Sequence, residues 1–341
     1  MLKTYAELME LANSYAESKA LLVANELGLF TAIGTQWRTI EDLAVRCKAD
    51  REGLRLLLNA LIGMGLLLLR RRRYGNTDLG RHYLDGKSPT AITNLLWLLN
   101  HHWSDWTDMT ATIRSGRRGW AALTATPSFR RRFALAMYER SHILAPPTVA
   151  AMRLRRGAAR FLDVAGGPGS YAVELARRYP GLTGTIVDQH VATAKALIRR
   201  HNLQRRLILR HGDVFSADFG GGYDAALAAN ILHDFNEREN RVLLGRIHDA
   251  LRPTGKLFIV EFFLDKTLTG PTEAAVFSLV MYKFTASGRS YGWAEVEGWL
   301  RELGFGRFHR RRITAGVGLL EATKIRATTS TEPVWKGLNR R

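Results

Sequence analysis

Two spacings of apolar residues divide the chain. Over the first part, apolar side chains recur every three or four positions, as Leu8, Leu11, Tyr15 and Leu22 do, and this spacing is typical of amphipathic helices. We expect Pro146-Pro147 to break the helical structure. Beyond this pair of prolines, short apolar runs alternate with amphipathic segments. The chain therefore changes there from an all-helical to a mixed α/β organisation.

A helix–turn–helix pattern followed by a short hairpin occupies the N-terminal region. Thr39 is placed as the N-cap of one helix, and another helix starts near Asp50. Two short strands are predicted next, at Leu66–Leu69 and Arg72–Tyr74, with Gly75-Asn76 near the turn. This order of elements is typical of a winged-helix domain.

The second half predicts a parallel sheet with helices on both faces. Short strands that alternate with helical segments indicate βαβ units and a doubly wound α/β fold. The predicted strands are Phe161–Ala165, Thr183–Val187, Leu207–Arg210, Tyr223–Ala229 and Leu257–Phe263.

These patterns predict four segments in the 341 residues. Residues 1–90 form a winged-helix domain, and residues 91–150 form a helical linker that contributes to a ligand pocket. Residues 151–325 form the α/β domain. Residues 326–341 are rich in Thr, Ser and Arg, and we expect them to form a mobile tail.

The composition excludes several classes of protein. Hydrophobic residues make up 46% and charged residues 24%, which excludes a disordered or fibrous chain. A single cysteine, Cys47, excludes a disulfide framework and a thiolate zinc site, and it suits a reducing, cytoplasmic location. The apolar run Leu54–Leu69 is shorter than a membrane span and contains Arg55 and Asn59, so no membrane span is expected.

The formal net charge of +19 favours anionic partners in general. The arginines are scattered along the chain, however, and the helix after Asp50 is rich in leucine. A helix that reads the major groove presents a polar face instead. A DNA-binding regulator with a winged helix therefore stays an alternative, and nucleic-acid binding is not the expected function.

A glycine-rich loop follows the first predicted strand of the α/β half. The strand continues through Asp163 into Gly166-Gly167-Pro168-Gly169, and the next strand ends at Asp188. Glycines allow the backbone to approach a ligand closely, and a carboxylate one strand further on suits the hydroxyls of a ribose. The pattern therefore predicts a nucleoside-containing cofactor.

Two residues of this region favour S-adenosylmethionine over a nicotinamide dinucleotide. Asp163 lies at the mouth of the loop, where a carboxylate repels a pyrophosphate but tolerates a cationic or zwitterionic ligand. Pro168 removes one backbone N–H from the loop. S-Adenosylmethionine has a ribose and an amino-acid end but no phosphate, so it suits both residues.

Further motifs follow in order, and together they resemble the S-adenosylmethionine-dependent O-methyltransferases. The similar group includes plant caffeate and acetylserotonin enzymes and bacterial polyketide-tailoring enzymes. The resemblance covers most of residues 10–325 and implies a Rossmann-like class I methyltransferase fold with an N-terminal winged-helix dimerisation domain. The motifs are Asp163–Gly169, Val187-Asp188, His211–Phe215, Ile231–Phe235, Leu251–Gly255 and Val260-Glu261.

The resemblance also implies how the cofactor is held. The loop glycines line its methionine end, Asp188 holds the ribose, and Asp213 meets the adenine amino group beside two apolar neighbours. The predicted cofactor-binding residues are Asp163, Gly166, Gly167, Gly169, Asp188, Asp213, Val214, Phe215 and Asn230.

A candidate base lies beyond the fourth strand. His233 follows that strand and Glu261 ends the fifth, and ligands of open α/β sheets bind outside the carboxyl ends of strands. An imidazole can remove the proton of a hydroxyl acceptor, and a carboxylate such as Glu261 or Asp234 can fix its tautomer. In the resembled family, His233 matches the general base and Glu261 a residue that only orients it.

One departure from the family concerns a second glutamate. The plant enzymes carry it in the loop before the last long helix, where this chain has Ser290 or Tyr291. Because of this difference, two alternatives to O-methylation stay open. The enzyme transfers the methyl group to a carbon atom, or the chain is a homologue that no longer transfers methyl groups.

The acceptor pocket is expected between the domains, lined by aromatic and methionine side chains that suit a flat, apolar molecule. We also expect a homodimer with an interface above roughly 2,000 Å², because one small domain cannot cover all the apolar helices of residues 1–69. No metal is expected. The pocket candidates are Trp97, His101, His102, Trp103, Trp106, Met137, Tyr138, Phe277, Met281 and Tyr282.

Overall fold

The computed structural model describes residues 2–116, 126–154 and 157–325. They form two compact units. The first comprises the residues up to Asp108 together with Pro127–Arg140, and the second comprises the other described residues. The segment boundaries predicted at residues 90 and 150 stay predictions, and the predicted tail, residues 326–341, lies outside the described residues.

The first unit is mainly helical and follows the predicted order. Thr39 caps α3 by accepting a hydrogen bond from the Asp42 N–H, and Asp50 caps α4 by accepting one from the Gly53 N–H at 2.8 Å. Both predicted helix starts are therefore confirmed. Its elements are α1 (Tyr5–Glu26), α2 (Leu29–Ile33), α3 (Ile40–Cys47), α4 (Arg51–Gly63), β1 (Leu67–Arg70), β2 (Arg73–Asn76) and α5 (Thr93–His101), with the first part of α7 (Pro127–Ala151).

The hairpin turn lies earlier than predicted. Arg71 and Arg72 form the turn, both with positive φ, and Leu67 pairs with Asn76. The prediction of Gly75-Asn76 near the turn is therefore wrong, because both residues belong to β2. Asn76 lies in the strand because its buried side chain donates hydrogen bonds to the carbonyl oxygens of Phe30 and Gly34. These bonds fix the strand register against α2.

The N-terminal half of α1 carries apolar side chains that its own unit does not cover. Leu8, Leu11 and Tyr15 expose 52%, 60% and 62% of their surface, whereas Leu22 further along the helix is buried. On α4, Leu56 is exposed in the same way. Large exposed apolar surfaces mark interaction sites in soluble proteins.

The second unit contains the α/β sheet. All five predicted strands are present; the fifth begins earlier than predicted and ends at Glu261. The strands are β3 (Arg160–Val164), β4 (Thr183–Asp188), β5 (Leu207–His211), β6 (Tyr223–Ala229), β7 (Leu251–Glu261), β8 (Phe305–Arg312) and β9 (Gly318–Lys324). The helices are α6 (Met109–Ser115), α8 (Ser170–Arg178), α9 (Ala192–Arg200), α10 (Glu237–Ala250), α11 (Thr272–Phe284) and α12 (Trp293–Glu302), with the last part of α7.

The strand order is β5-β4-β3-β6-β7-β9-β8, and the candidate site lies at the carboxyl ends of its parallel strands. β3 to β7 are parallel, and β9 runs antiparallel between β7 and β8. The order reverses at β3, which lies between β4 and β6. A reversal of this kind opens a crevice at the carboxyl ends of the strands, where ligands bind. Asp188 and Glu261 end two of these strands.

The predicted break at Pro146-Pro147 is wrong, because α7 continues through both prolines to Ala151. Proline removes a helical hydrogen bond, and this loss is least costly where water can satisfy the unpaired carbonyl groups. Both prolines are exposed, whereas Ala145, Thr148 and Val149 are buried. Packing of the opposite helix face therefore maintains the helix.

Two features are absent from residues 2–116, 126–154 and 157–325. No helix in them is both long and apolar enough to cross a membrane. No cluster of His, Cys, Asp and Glu side chains within the same ranges is suited to a metal ion.

Candidate active site

The glycine-rich loop is packed tightly against the end of β3. A Cβ atom on Gly166 would lie 2.7 Å from Asp163 Oδ2 and 2.6 Å from Ile186 Cγ2, so only glycine fits there. The Gly166 N–H donates a hydrogen bond to the Val187 carbonyl at 3.3 Å, and α8 begins directly after Gly169. The loop backbone is thereby held at the carboxyl ends of β3 and β4.

Asp163 is a buried carboxyl group without a partner. Its side chain is fully buried, and neither of its oxygens has a hydrogen-bond partner in the structure. Burial, and secondly the neighbouring charge of Asp188, raise the pKa of Asp163 from 3.8 to about 8. Buried polar groups are almost always paired, so this carboxyl suits a ligand that brings its own donor.

Asp188 ties the loop to the strand beside it. Its Oδ2 accepts a hydrogen bond from the Gly167 N–H at 2.8 Å, and its Oδ1 accepts one from the His190 N–H at 2.7 Å. Each carboxylate oxygen can accept further bonds. Asp188 can therefore hold ribose hydroxyls while it fixes the loop.

The other predicted cofactor residues lie after β5 and β6. Asp213 accepts hydrogen bonds from the Phe215 N–H at 2.8 Å and from Gln189 Nε2 at 2.6 Å, so it shapes its own turn. Val214 is buried beside it. Asn230 has a positive φ directly after β6, and its buried Oδ1 has no hydrogen-bond partner. Asn230 thus adds a second unpaired acceptor at an adjacent strand end.

His233 and Glu261 form a short, buried pair. His233 lies in the helical turn Leu232–Asp234 after β6 and is 8% exposed. Its Nδ1 lies 2.7 Å from Glu261 Oε2. The other oxygen, Glu261 Oε1, accepts hydrogen bonds at 2.8 Å from two backbone N–H groups of the same turn, those of Ile231 and Leu232. Glu261 therefore fixes both the imidazole and the backbone that carries it.

This pair determines which ring nitrogen can act as a base. A carboxylate beside Nδ1 favours a proton on that nitrogen, so the lone pair of the neutral ring lies on Nε2. Asp234 Oδ1 is 3.7 Å from Nε2. Desolvation raises the pKa of Asp234, while the charge of His233 lowers it and that of Glu261 raises it. The geometry suits proton removal at Nε2.

An aromatic side chain contacts the imidazole, and a second one stacks on the first. The Phe277 ring on α11 stands perpendicular to the His233 ring with centroids 4.9 Å apart, and it stacks on Phe262 at 4.1 Å. Phe262 directly follows Glu261 at the end of β7. Aromatic faces of this kind suit a planar, apolar ligand.

Comparisons with known proteins identify the chain. Residues 106–306 match the model of the O-methyltransferase domain. The chain belongs to the O-methyltransferase family. It is 31% identical to the 3-hydroxy-5-methyl-1-naphthoate 3-O-methyltransferase of Streptomyces sahachiroi over 87% of this chain and 88% of that protein. It is 28% identical to the acetylserotonin O-methyltransferase of Macaca mulatta, over 81% and 86% of the two chains.

The solved structures agree. This O-methyltransferase matches human N-acetylserotonin methyltransferase in complex with SAM with a TM-score of 0.85 and 25% identity, over 95% of this chain and 99% of that one. The class I methyltransferase fold and the cofactor, S-adenosylmethionine, are therefore confirmed. These matches show that the chain is an enzyme, and they do not support the alternative of a DNA-binding regulator.

The first unit has its own family match. Residues 9–86 match the O-methyltransferase dimerisation domain, which confirms the predicted homodimer. The exposed apolar side chains of α1 lie within this match. The buried face of α4 and the ion pairs of its arginines, Arg51 with Glu41 and Arg55 with Glu52, also suit a dimerisation domain better than a groove-reading helix.

The residues at the strand ends fit S-adenosylmethionine. The unpaired oxygens of Asp163 and Asn230 suit the donors of a cationic amino-acid end, and the Asp188 carboxylate suits a ribose. The close packing of Gly166 against Asp163 and Ile186 holds the loop backbone beside the unpaired carboxyl group. The individual contacts stay predictions.

We expect Asp163→Asn to reduce the pH dependence of stability and to weaken binding of the cofactor. The pKa of Asp163 is raised in the folded protein, so between about pH 4 and 8 the folded state binds the proton more tightly than the unfolded state. The contribution of this proton to the free energy of unfolding is fully present below the pKa that Asp163 has in the unfolded chain. It is lost as the pH rises towards 8. Through this group, the free energy of unfolding falls by at most about 1.4 kcal/mol per pH unit.

Urea unfolding of the ligand-free enzyme at pH 5.5, 6.5 and 7.5 measures this effect. The wild type should lose stability more steeply with pH than Asp163→Asn does. The variant should bind S-adenosylhomocysteine about 10-fold more weakly, because its amide cannot lose a proton to become a carboxylate beside the ammonium group of the ligand. Equal slopes in the two proteins would show that Asp163 does not hold a proton in the fold.

We expect Asp188→Ala to weaken binding of S-adenosylhomocysteine by about 1.5–3 kcal/mol, the range for hydrogen bonds to a charged group. Calorimetry with S-adenosylhomocysteine measures the loss, and Asp218→Ala, an exposed loop aspartate, is the matched control. Unchanged affinity in Asp188→Ala would remove this residue from the cofactor site.

The predicted acceptor-pocket residues belong to both units. Trp97, His101, Trp103, Trp106, Met137 and Tyr138 are in the first unit, where the rings of Trp97 and His101 stack with centroids 5.4 Å apart. Phe277, Met281 and Tyr282 are on α11 in the second unit. Phe277 contacts the His233 ring. The roles of the other residues stay predictions.

Three residues near the base were missed from the sequence. They are Phe262, which stacks on Phe277, Asn240, which binds the carbonyl oxygens of Leu232 and Phe235, and Gly288, which packs against the His233 carbonyl. Only Gly288 gave a signal, as an isolated glycine between two helices. Aromatic and asparagine side chains next to a motif cannot be distinguished by spacing from ordinary packing.

Proposed function

We propose that this O-methyltransferase transfers a methyl group to a hydroxyl of a small, planar, mostly apolar acceptor, with His233 as the general base. The 2.7 Å pair between His233 Nδ1 and Glu261 Oε2 is the observation that carries this proposal. It holds a buried imidazole in one tautomer at the carboxyl ends of the strands, where ligands of this fold bind.

The chain's own part in the reaction is to remove one proton. S-Adenosylmethionine, when bound, supplies a methyl group on a sulfonium that is already a strong electrophile. The acceptor oxygen becomes a better nucleophile as its proton passes to His233 Nε2. Glu261 then stabilises the positive charge of the ring through Nδ1, and Asp234 lies 3.7 Å from Nε2.

The chemistry of the acceptor follows from the side chains around the base. Phe277 stacks on Phe262 with ring centroids 4.1 Å apart, and the Phe277 ring stands perpendicular to the imidazole at 4.9 Å. Planar aromatic molecules pack well on such surfaces. The names of two relatives, which specify a hydroxynaphthoate and acetylserotonin, support an aromatic hydroxyl acceptor for this enzyme as well.

We also infer a cytoplasmic location. Cys47 is the single cysteine of the chain and is buried in the first unit. Burial raises the pKa of its thiol, so the thiol is poorly reactive. A chain without a disulfide framework suits a reducing compartment.

A panel of acceptors with isotopically labelled cofactor tests the proposal. The panel contains a hydroxynaphthoate, N-acetylserotonin, the matched aromatic amines and matched compounds that lack the hydroxyl. We expect label only in compounds with a hydroxyl, as a methyl ether identified by mass spectrometry and NMR. Label on an amine nitrogen or a ring carbon would contradict transfer to oxygen, and it would support the alternative of a different methyl acceptor atom.

A further inference from the structure

We propose that the loop between α11 and α12, residues Thr285–Tyr291, positions the His233 turn, and that Gly288 sets its distance from the loop. The expected effect of the loop on catalysis rests on the proposed function of His233 as the base. The expected effect of the loop on the position of the imidazole does not depend on that function. The loop acts through the backbone of the turn, so its residues are positioning residues.

Gly288 makes the closest approach in this region. A Cβ atom at this position would lie 1.9 Å from the His233 carbonyl oxygen and 2.8 Å from the Asp234 carbonyl carbon. Backbone atoms of the turn cannot swing aside as the end of a flexible side chain can. Any larger residue must therefore push the His233–Asp234 peptide away from the loop.

The loop itself is anchored to α11. The Gly288 N–H donates a hydrogen bond to Thr285 Oγ1 at 2.8 Å, and that hydroxyl donates to the Met281 carbonyl at 2.7 Å. α11 also carries Phe277, which contacts the imidazole. One short segment therefore connects the helix beside the ring to the backbone that carries the ring.

A second contact holds the far end of the turn. Tyr291 donates a hydrogen bond from its hydroxyl to the Phe235 carbonyl at 2.5 Å, and Asn240 Nδ2 donates to the same oxygen at 3.2 Å. Tyr291 is 4% exposed. The turn is thus restrained by Glu261 at its start, by Gly288 in its middle and by Tyr291 at its end.

These contacts take the place of a second acidic partner in the loop. Ser290 or Tyr291 stands where the plant enzymes carry their second glutamate. The Ser290 hydroxyl donates to the Ala274 carbonyl at 3.0 Å. Its N–H donates to Ser278 Oγ at 3.3 Å. Ser290 therefore joins the loop to α11. This chain holds the turn from the loop side by close packing and a tyrosine hydrogen bond.

The test compares Gly288→Ala and Tyr291→Phe with Gly298→Ala. Gly298 lies in α12, where an added Cβ meets nothing within 4 Å, so it is a matched control. The first measurement is the ¹⁵N–¹H spectrum of the full-length enzyme with labelled histidine rings, in which His233→Gln identifies the His233 signals. We expect the Nδ1–H signal of His233 to shift or broaden in Gly288→Ala and Tyr291→Phe, and to stay unchanged in Gly298→Ala.

The second measurement is the split between kcat and KM for an acceptor found in the panel. Misplacement of a catalytic group by about 1 Å can cost on the order of 100-fold, so we expect kcat to fall about 10–100-fold in Gly288→Ala. The affinity for S-adenosylhomocysteine and the KM should change less than about threefold, because the loop touches the base turn. Gly298→Ala should match the wild type.

The outcomes separate this inference from the proposed function. Unchanged His233 signals in a folded Gly288→Ala variant would overturn the positioning role. Should that variant not fold, unchanged signals in Tyr291→Phe would overturn it instead. A fully active His233→Ala variant would overturn the base assignment alone, and the ring signals would still decide the role of the loop.

Discussion

Replacing His233 by alanine should lower kcat by about 10²–10⁴-fold, the usual contribution of general base catalysis. The variant loses the imidazole whose Nδ1 is held by Glu261 at 2.7 Å, so no group at this position can take the acceptor proton at Nε2. The affinity for S-adenosylhomocysteine should stay near that of the wild type, because His233 is not among the residues predicted to hold the cofactor and most of those residues follow other strands. Steady-state kinetics and calorimetry measure the two quantities.

A matched control is His309→Ala, because this histidine is exposed on β8. It should leave kcat unchanged. A His233→Ala variant that methylates the acceptor at the full rate would show that the base assignment is wrong. Proximity and the reactivity of the sulfonium would then account for the rate.

Glu261→Gln should be almost as damaging as His233→Ala, with a loss of kcat of about 10²–10⁴-fold. The backbone N–H groups of Ile231 and Leu232 both donate to one Glu261 oxygen, so the amide oxygen of glutamine must occupy that place. The amide NH₂ group then faces His233 Nδ1 and donates to it. The ring proton is forced to Nε2, and the base is lost while the fold is kept.

The same kinetics test this substitution, and the ¹⁵N shifts of the His233 ring report its tautomer directly. Glu273→Gln, at an exposed position in the first turn of α11, is the matched control and should behave as the wild type. A Glu261→Gln variant with wild-type kcat would mean that neither the charge nor the tautomer matters for proton removal.

The sequence determined the fold class because the pattern is local. The βαβ alternation gave all five parallel strands, and the glycine-rich loop with Asp188 gave the cofactor. Helix starts at Thr39 and Asp50 were also predictable, because a capping side chain bonds to an N–H only three residues away. Motifs in order along the chain were enough to indicate the family.

Where the sequence failed, the deciding contacts were distant in the chain. Pro146-Pro147 indicated a break, but burial of Ala145 and Val149 maintains α7. Gly75-Asn76 resembled a turn, but Asn76 bonds to the carbonyl oxygens of Phe30 and Gly34 and so lies within a strand. Local preference is weaker than such tertiary contacts.

The candidate site shows the same division. The sequence alone placed His233 and Glu261 at the carboxyl ends of two strands. Because the carboxyl ends of parallel strands lie along the same side of a sheet, the two residues were expected to come close together. Only the tertiary structure showed that Glu261 also binds the backbone of the turn, that Asp163 is buried without a partner, and that Gly288 touches the His233 carbonyl. Spacing along a chain identifies which residues can meet, whereas distances and burial depend on how separate elements pack against one another.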